Sequence, residues 1–263
     1  MPVKTQRTRH SVTVPIHDRN LIMRIPRIYT PQPLGEHNLI DLDDASAHHV
    51  GKVLRMEAGR QLKVFNGSGH RYFDATIVHA DRKKVQVRLG ESHASSTESP
   101  LSIHLGQVMS KGDKMEFTIQ KAVELGVTDI TPLWSEHCDV KLNQERLEKK
   151  HKQWLGIIIS ACEQSGRDVI PHLHPTIKIE DWLANMETDV KWLLDPGAEP
   201  LQSKVAPKSV AIAVGPEGGF SEGEVKLAQQ QGFQSQLIGP RVLRTETAAL
   251  TAITILQSRW GDF

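Results

Sequence analysis

The sequence predicts an α/β protein, a largely parallel sheet with helices on both faces, preceded by a small β-rich domain. Three observations carry this. From Leu101 onward, short apolar runs alternate with amphipathic helical stretches, the pattern of a parallel sheet. Between residues 61 and 89, three segments of alternating polarity are separated by polar turn signals, the pattern of a meander. Between these regions lies a Ser/Thr-rich stretch with almost nothing to bury. The expected division is therefore a basic extension over 1–22, a β-rich domain over 23–91, a linker over 92–100 and an α/β domain over 101–263.

Composition bounds the function. The 263 residues are 38% hydrophobic and 24% charged, as in ordinary globular domains. No apolar run reaches the roughly 18 residues of a membrane span, and the N-terminus has no continuous apolar segment. Cys138 and Cys162 are the only cysteines. They make no disulfide framework and no metal motif, so a cytoplasmic protein without a metal is expected. The net charge is +1, but residues 1–27 carry six Lys and Arg against Asp18 alone. That local excess suits an anionic partner better than the total does.

Taken in order, residues 1–22 are polar and aperiodic, and are expected to be disordered or loosely attached; a basic RNA-contacting arm is the alternative. Residues 45–54 place Val50, Val53 and Leu54 at helical spacing. The segments 61–65, 71–79 and 84–89 follow as strands. Residues 102–109 read as the first strand of the second domain. Asp113 with Glu116 has capping-box spacing, and the helix it opens ends at Leu125 with Gly126 as its left-handed cap. Residues 128–135 are the next strand. A long helix over 143–165 buries Leu147, Trp154, Leu155, Ile158, Ile159 and Cys162, and Gly166 ends it. Cys162 on that stripe reads as core packing. Short strands near 170–173 and 190–194 flank a helix around Ile179 to Met186.

The stretch most suggestive of chemistry is SVAIAVGPEGGFSEGEV, residues 209–225. A buried strand, Val210 to Val214, runs into Gly215, Pro216, Glu217, Gly218 and Gly219. Ser221 and Glu224 then have capping-box spacing. A glycine-rich turn between a strand and a helix N-terminus lets a ligand approach backbone N–H and C=O groups. The pattern is neither the dinucleotide fingerprint nor a P-loop. The same grammar recurs in QLIGPRVLRTETAALTAITILQ, residues 236–257. There a strand ends at Ile238, Gly239-Pro240 turns the chain, and Thr245 is placed to cap a long helix. Two such loops are expected to be neighbours at one edge of the sheet, where open α/β folds hold ligands. The last helix is apolar around more than one face, which predicts burial on most sides, partly against a second copy.

The paired motifs GPEGGFSEGEV and LIGPRVLRTETAAL resemble the SPOUT superfamily of methyltransferases, specifically the RsmE-type enzymes that methylate N3 of a uridine in small-subunit ribosomal RNA. The resemblance extends to residues 104–136, to ACEQSGR (161–167) and to MRIPRIY (23–29), and so spans the chain from Met23 onward. It implies a SPOUT-type α/β domain with a C-terminal trefoil knot, preceded by a PUA-like β-barrel. Pattern alone would have suggested an ordinary doubly wound fold. It also implies a homodimer, small-subunit rRNA as partner, and S-adenosylmethionine as cofactor. The cofactor would be held by Leu194, Gly215, Pro216, Glu217, Gly218, Gly219, Leu237, Ile238, Gly239, Leu243, Thr245 and Ala248. Arg244 would bind a phosphate or a uracil oxygen; its guanidinium stays charged and cannot act as a base. Glu246 or Glu217 would take the N3 proton, meet the sulfonium charge, or merely cap a helix. Arg24, Arg27 and Arg55 become candidate RNA contacts. Gln164 or Arg167 would lie near the RNA, or else fix the loop after the long helix. A non-catalytic rRNA-binding assembly factor, or transfer to a ribose 2′-hydroxyl, are the competing readings.

Because the family pattern starts at Met23, deletion of residues 1–22 should leave methylation nearly intact. A large loss of RNA affinity on truncation would show that the extension takes part.

Overall fold

The computed structural model describes residues 25–81, 84–195, 197 and 206–263. The 1–22 extension, Arg24 and most of the loop before residue 206 lie outside them.

The first domain is a five-stranded sheet in the order β1-β3-β4-β5-β2. Its strands are β1 (Arg27–Tyr29), β2 (Leu39–Asp41), β3 (Gln61–Phe65), β4 (Arg71–Ala80) and β5 (Val85–Ala94). The predicted meander is β3-β4-β5, paired antiparallel. Helix α1 (Asp44–His48) opens under an Asp43 cap and continues as a π-helical turn, His49–Val53. Val50 closes one end of a core of Ile28, Leu62, Val64, Ile77 and Val87.

The second domain carries a parallel sheet in the order β12-β10-β11-β6-β7-β8, with β9 also pairing with β7. Its elements are β6 (Ser102–Val108), α2 (Lys114–Glu124), β7 (Asp129–Trp134), α3 (Gln144–Ser165), β8 (His172–Leu173), β9 (Ile177–Lys178), α4 (Ile179–Asn185), β10 (Val190–Leu194), β11 (Ser209–Val214), α5 (Glu222–Gln230), β12 (Gln234–Gln236) and α6 (Thr245–Trp260). The central strands β6 and β11 are almost wholly buried. One face is covered by α2, α3 and α6. The other is covered by α4 and α5 around Trp182 and Phe233.

Several local expectations need correction. Asp113 makes no capping bond, because Gly112 takes the left-handed turn and leaves Asp113 already in helical conformation. Leu155 is 39% exposed and does not belong to the α3 stripe, which is Trp154, Ile158, Ala161 and Cys162. Cys162 is wholly enclosed, and burial pushes its thiol pKa up to about 12, so it is inert packing.

The larger correction concerns the linker. Strand β5 runs on through Ala94, so pairing continues into residues 92–94. The rest is stitched to the second domain by its polar side chains. Thr97 Oγ1 donates to the Gly166 carbonyl (3.1 Å), and Ser99 Oγ donates to Gln257 Oε1 (2.7 Å). Glu98 accepts from Arg167 Nε (3.1 Å) and Nη2 (2.7 Å). Arg167 Nη1 donates to the carbonyls of Val123, in the last turn of α2, and of Val127, just beyond it. Arg167 is therefore not an RNA contact. It is 4% exposed, and its donors are turned inward onto Glu98 and these carbonyls.

The domains meet where β1 packs on the end of α3. Arg27 pairs with the buried Asp168, with its guanidinium 4.6 Å from the Tyr72 ring centre. Glu163 accepts from the Tyr29 backbone N–H (3.0 Å), and burial raises its pKa. Arg27 is thus committed to the interdomain contact and is withdrawn from the RNA candidates. Arg55 is exposed, in left-handed conformation at φ 52°.

Replacing Arg167 by Ala leaves Glu98 buried without its counter-ion. We expect a loss of about 3–5 kcal/mol in denaturant unfolding. A change under 1 kcal/mol would mean that the pair does not hold the linker.

Candidate active site

The two Gly-Pro loops are neighbours at the C-terminal ends of β10, β11 and β12. The order of these strands puts β10 between β11 and β12, with each pair parallel. The turn after β11 and the segment after β12 therefore emerge on the same edge. Together they enclose a cavity of about 510 Å³.

The loop after β11 is shaped as its sequence suggests. Gly219 adopts φ 72°, and the following helix opens with a complete capping box between Ser221 and Glu224. Glu224 is buried, and also accepts from the Glu136 backbone N–H (2.8 Å), which ties this loop to the end of β7. At Gly215 an added Cβ would lie 3.3 Å from the Phe220 ring, and at Gly218 3.3 Å from His137. Side chains at either position would press on these neighbours.

The second loop departs from expectation in a useful way. Its strand ends at Gln236, two residues early, and the Gln236 carbonyl accepts from the Asp195 N–H (3.1 Å). Thr245 does not cap α6. Arg244 occupies the cap position, and Thr245, in the first turn, has its hydroxyl committed elsewhere. It donates to the Gly215 carbonyl (2.7 Å) and accepts from Gln107 Nε2 (2.9 Å). Gln107 is fully buried on β6. One hydroxyl thus joins the central strand, the first loop and the start of the last helix.

Of the residues expected at a cofactor, Leu194, Gly215, Pro216, Glu217, Gly218, Gly219, Leu237, Ile238, Leu243, Thr245 and Ala248 line the cavity. Gly239 does not. It supplies the turn at φ 90°, which carries the chain past the wall. Arg244 lines the cavity, but Glu246 is absent from its wall, and one of its carboxylate oxygens is enclosed without a hydrogen-bond partner. Glu246 thus stands off this wall. The reason is helical geometry: it follows Thr245 by about 100° around α6, while Ala248, one turn from Arg244, returns to the wall.

Asp195, at the strand end expected to approach a cofactor, lines the cavity too, and the structure adds Lys114, Gln236 and Arg241, which the sequence did not single out for it. Lys114, from the first turn of α2, reaches across to pair with Glu217. That bond holds the Glu217 carboxyl below its ordinary pKa. The Glu217 carboxylate is thus kept ionised and engaged. Lys114, Arg241 and Arg244 give the wall a cationic rim. Gln236 is buried, and its Oε1 is enclosed without a partner. This acceptor suits an amino group of a ligand. An apolar cavity of this size with a few convergent polar groups is the ordinary form of a nucleoside-sized site.

Comparison with known proteins agrees with this geometry. Residues 97–257 match the family model of an RNA methyltransferase domain, and residues 42–90 that of an RNA methyltransferase PUA domain. The chain is 40% identical to the ribosomal RNA small subunit methyltransferase E of Buchnera aphidicola (subsp. Schizaphis graminum), over 91% of this chain and 98% of that protein. It is 31% identical to the protein of the same name from Bacillus subtilis, over 86% and 93%. A Legionella pneumophila methyltransferase solved with bound SAM superposes with a TM-score of 0.88 at 45% identity, over 91% of this chain and all of that one. The Neisseria gonorrhoeae ribosomal RNA small subunit methyltransferase E, also solved with S-adenosylmethionine, gives 0.85 at 38%, over 91% and 99%. With a PUA domain ahead of a parallel α/β domain, and the two Gly-Pro loops closing one cavity, the chain belongs to the ribosomal RNA small subunit methyltransferase E family.

Proposed function

We propose that this protein uses S-adenosylmethionine to methylate N3 of a uridine in small-subunit ribosomal RNA, acting as a homodimer. The observation that carries the reading is the shared cavity, where two glycine turns expose backbone groups beside apolar walls and a cationic rim. When bound there, S-adenosylmethionine supplies an electrophilic methyl group. Leu194, Leu237, Ile238 and Leu243 offer the apolar surface for its nucleoside, and the unpaired Gln236 Oε1 accepts from one of its amino groups. The trefoil knot implied by the resemblance is part of this reading, with the C-terminal helix threaded through a loop.

The chemistry asked of the protein is to position a uracil and favour the loss of its N3 proton. Arg244, Arg241 and Lys114 serve the second task by stabilising negative charge on the ring oxygens. Two carboxylates line the wall, Asp195 and Glu217. Glu217 is held ionised by Lys114 and is a weak proton acceptor, and Glu246 lies off the wall. The cationic surroundings make the uracil N3–H more acidic, and its proton passes to Asp195 or to solvent. The target base leaves its stack to enter the site. Dimerisation would cover the half-buried Leu250 and Ile255 of α6, which remain partly exposed in the single chain.

Mass spectrometry of small-subunit rRNA from cells lacking the protein tests the reading. One uridine should lose a base methyl group; an unchanged methyluridine content, or loss of a ribose methyl instead, would refute it. Arg244→Ala should lower methylation by about a hundredfold or more and leave cofactor affinity within a few-fold. Turnover at the unmodified rate would remove Arg244 from the mechanism. Thr245→Val keeps the shape and removes the hydroxyl, leaving the buried Gln107 N–H and the Gly215 carbonyl unpaired. Calorimetry should show S-adenosylmethionine binding weakened by about tenfold or more. Unchanged affinity would mean that the bond does not set the loop.

A further inference from the structure

The face of the sheet opposite α6 carries a second group of reactive side chains, remote in sequence from both Gly-Pro loops. His104 on β6 lies beside Asp129 on β7, and Asp129 beside His172 on β8, in one row across three neighbouring strands. His174, two residues beyond His172, packs against both histidines. Its ring stacks on His104, with centres 4.8 Å apart, and meets His172 edge-on at 4.2 Å. The row lies at the N-terminal ends of β7 and β8, whereas the cofactor cavity lies at the C-terminal ends of β10, β11 and β12.

Three imidazoles around a single carboxylate is more ligand capacity than packing needs. His174 Nε2 and Asp129 Oδ1 are 2.9 Å apart, which already satisfies that carboxylate oxygen. One ligand atom from each of His104, Asp129 and His174 lies within 4.8 Å of the other two. Among the described residues, this is the one such group of three. We propose that His104, Asp129 and His174 bind a divalent cation of the zinc class.

The donor set selects the metal. Two imidazoles and one carboxylate, without thiolates, suit zinc and its neighbours. Magnesium and calcium require more oxygen ligands than this site offers. Tetrahedral zinc with bonds of about 2.1 Å holds its ligand atoms roughly 3.4 Å apart, so separations that reach up to 4.8 Å must close and the 2.9 Å between Asp129 and His174 must open slightly. Asp129 and His174 have the freedom to do so, since their side chains are 31% and 33% exposed. His104 is the fixed member. Thr131 Oγ1 lies 2.7 Å from its Nε2, and the Trp182 indole N–H is 3.3 Å from the same atom. The indole N–H is a donor only, so Nε2 accepts from it in the unliganded site. On ligation through Nδ1 the ring proton sits on Nε2 and is donated to Thr131 Oγ1, the outer partner, and the Trp182 contact is released. The fourth position is left to water. On binding, His174 turns out of its stack on His104, and β6, β7 and the chain after β8 are clamped together. Ligand positions 104, 129 and 174 share no short spacing, which is why the sequence reading expected no metal.

The test is titration of the full-length, chelator-treated protein with zinc chloride by calorimetry. One equivalent should bind with micromolar or tighter affinity, and zinc should raise the thermal midpoint. Magnesium chloride should give no saturable heat. Asp129→Asn and His174→Ala should each weaken zinc binding by at least about tenfold while keeping affinity for S-adenosylmethionine, which reports that the variant is folded. No saturable zinc binding by the unmodified protein would overturn the proposal. So would equal affinity in the two variants, which would place the ion on other histidines. Saturable magnesium binding would overturn the assignment to the zinc class.

Discussion

The cavity between the two Gly-Pro loops depends on one buried hydroxyl. Thr245 receives a hydrogen bond from Gln107 and gives one to the Gly215 carbonyl. All three partners come from different parts of the chain, and Gln107 and Thr245 are buried. A buried amide and a buried carbonyl are costly to leave unpaired, so the arrangement has few alternatives. The first glycine loop, the central strand and the start of the last helix are held in one register by it. Without that register, two flexible turns would face each other with no defined space between them.

The far end of the last helix is held by the same kind of bond. Gln257 is fully buried, donates to the Leu125 carbonyl (3.0 Å) and accepts from Ser99 (2.7 Å). Gly126 has no side chain because the Gln257 amide occupies that space, 2.4 Å from where a Cβ would sit. The helix between Thr245 and Gln257 is apolar and would pack in several rotations. Its two polar anchors choose one. Burial supplies the driving force, and the hydrogen bonds supply the specificity.

Charge is used in a similar way. Arg27 and Arg167 look in sequence like surface residues available to an anionic partner. Both are turned inward, onto Asp168 and Glu98, where they join the domains and fasten the connecting segment. The cationic surface facing the cavity comes instead from Lys114, Arg241 and Arg244, on two different elements. Lys114 also pairs with Glu217 across the cavity wall. As a half-exposed pair it adds little stability, so its importance is positional.

Much of this was legible in the sequence. The period-2 segments of the first domain, the strand–helix alternation of the second and the capping box at Ser221 are local patterns, decided by neighbours a few residues apart. The paired Gly-Pro motifs pointed to one cleft, because glycine turns after strands have few uses in this kind of sheet. What the sequence could not decide were contacts made across large separations. Whether Thr245 caps its own helix or bonds to Gly215 depends on where residue 215 lies. Whether Arg167 meets RNA or Glu98 depends on how the connecting segment folds back. Glu246 and Gly239 fell off the cavity wall for a matter of helical angle and turn direction, and His104, Asp129 and His174 come together only once three strands are side by side. Hydrophobic period and turn chemistry are written in adjacent residues, and they determined the elements. Hydrogen-bond partners and ion pairs are chosen in three dimensions, and only the tertiary structure decided them.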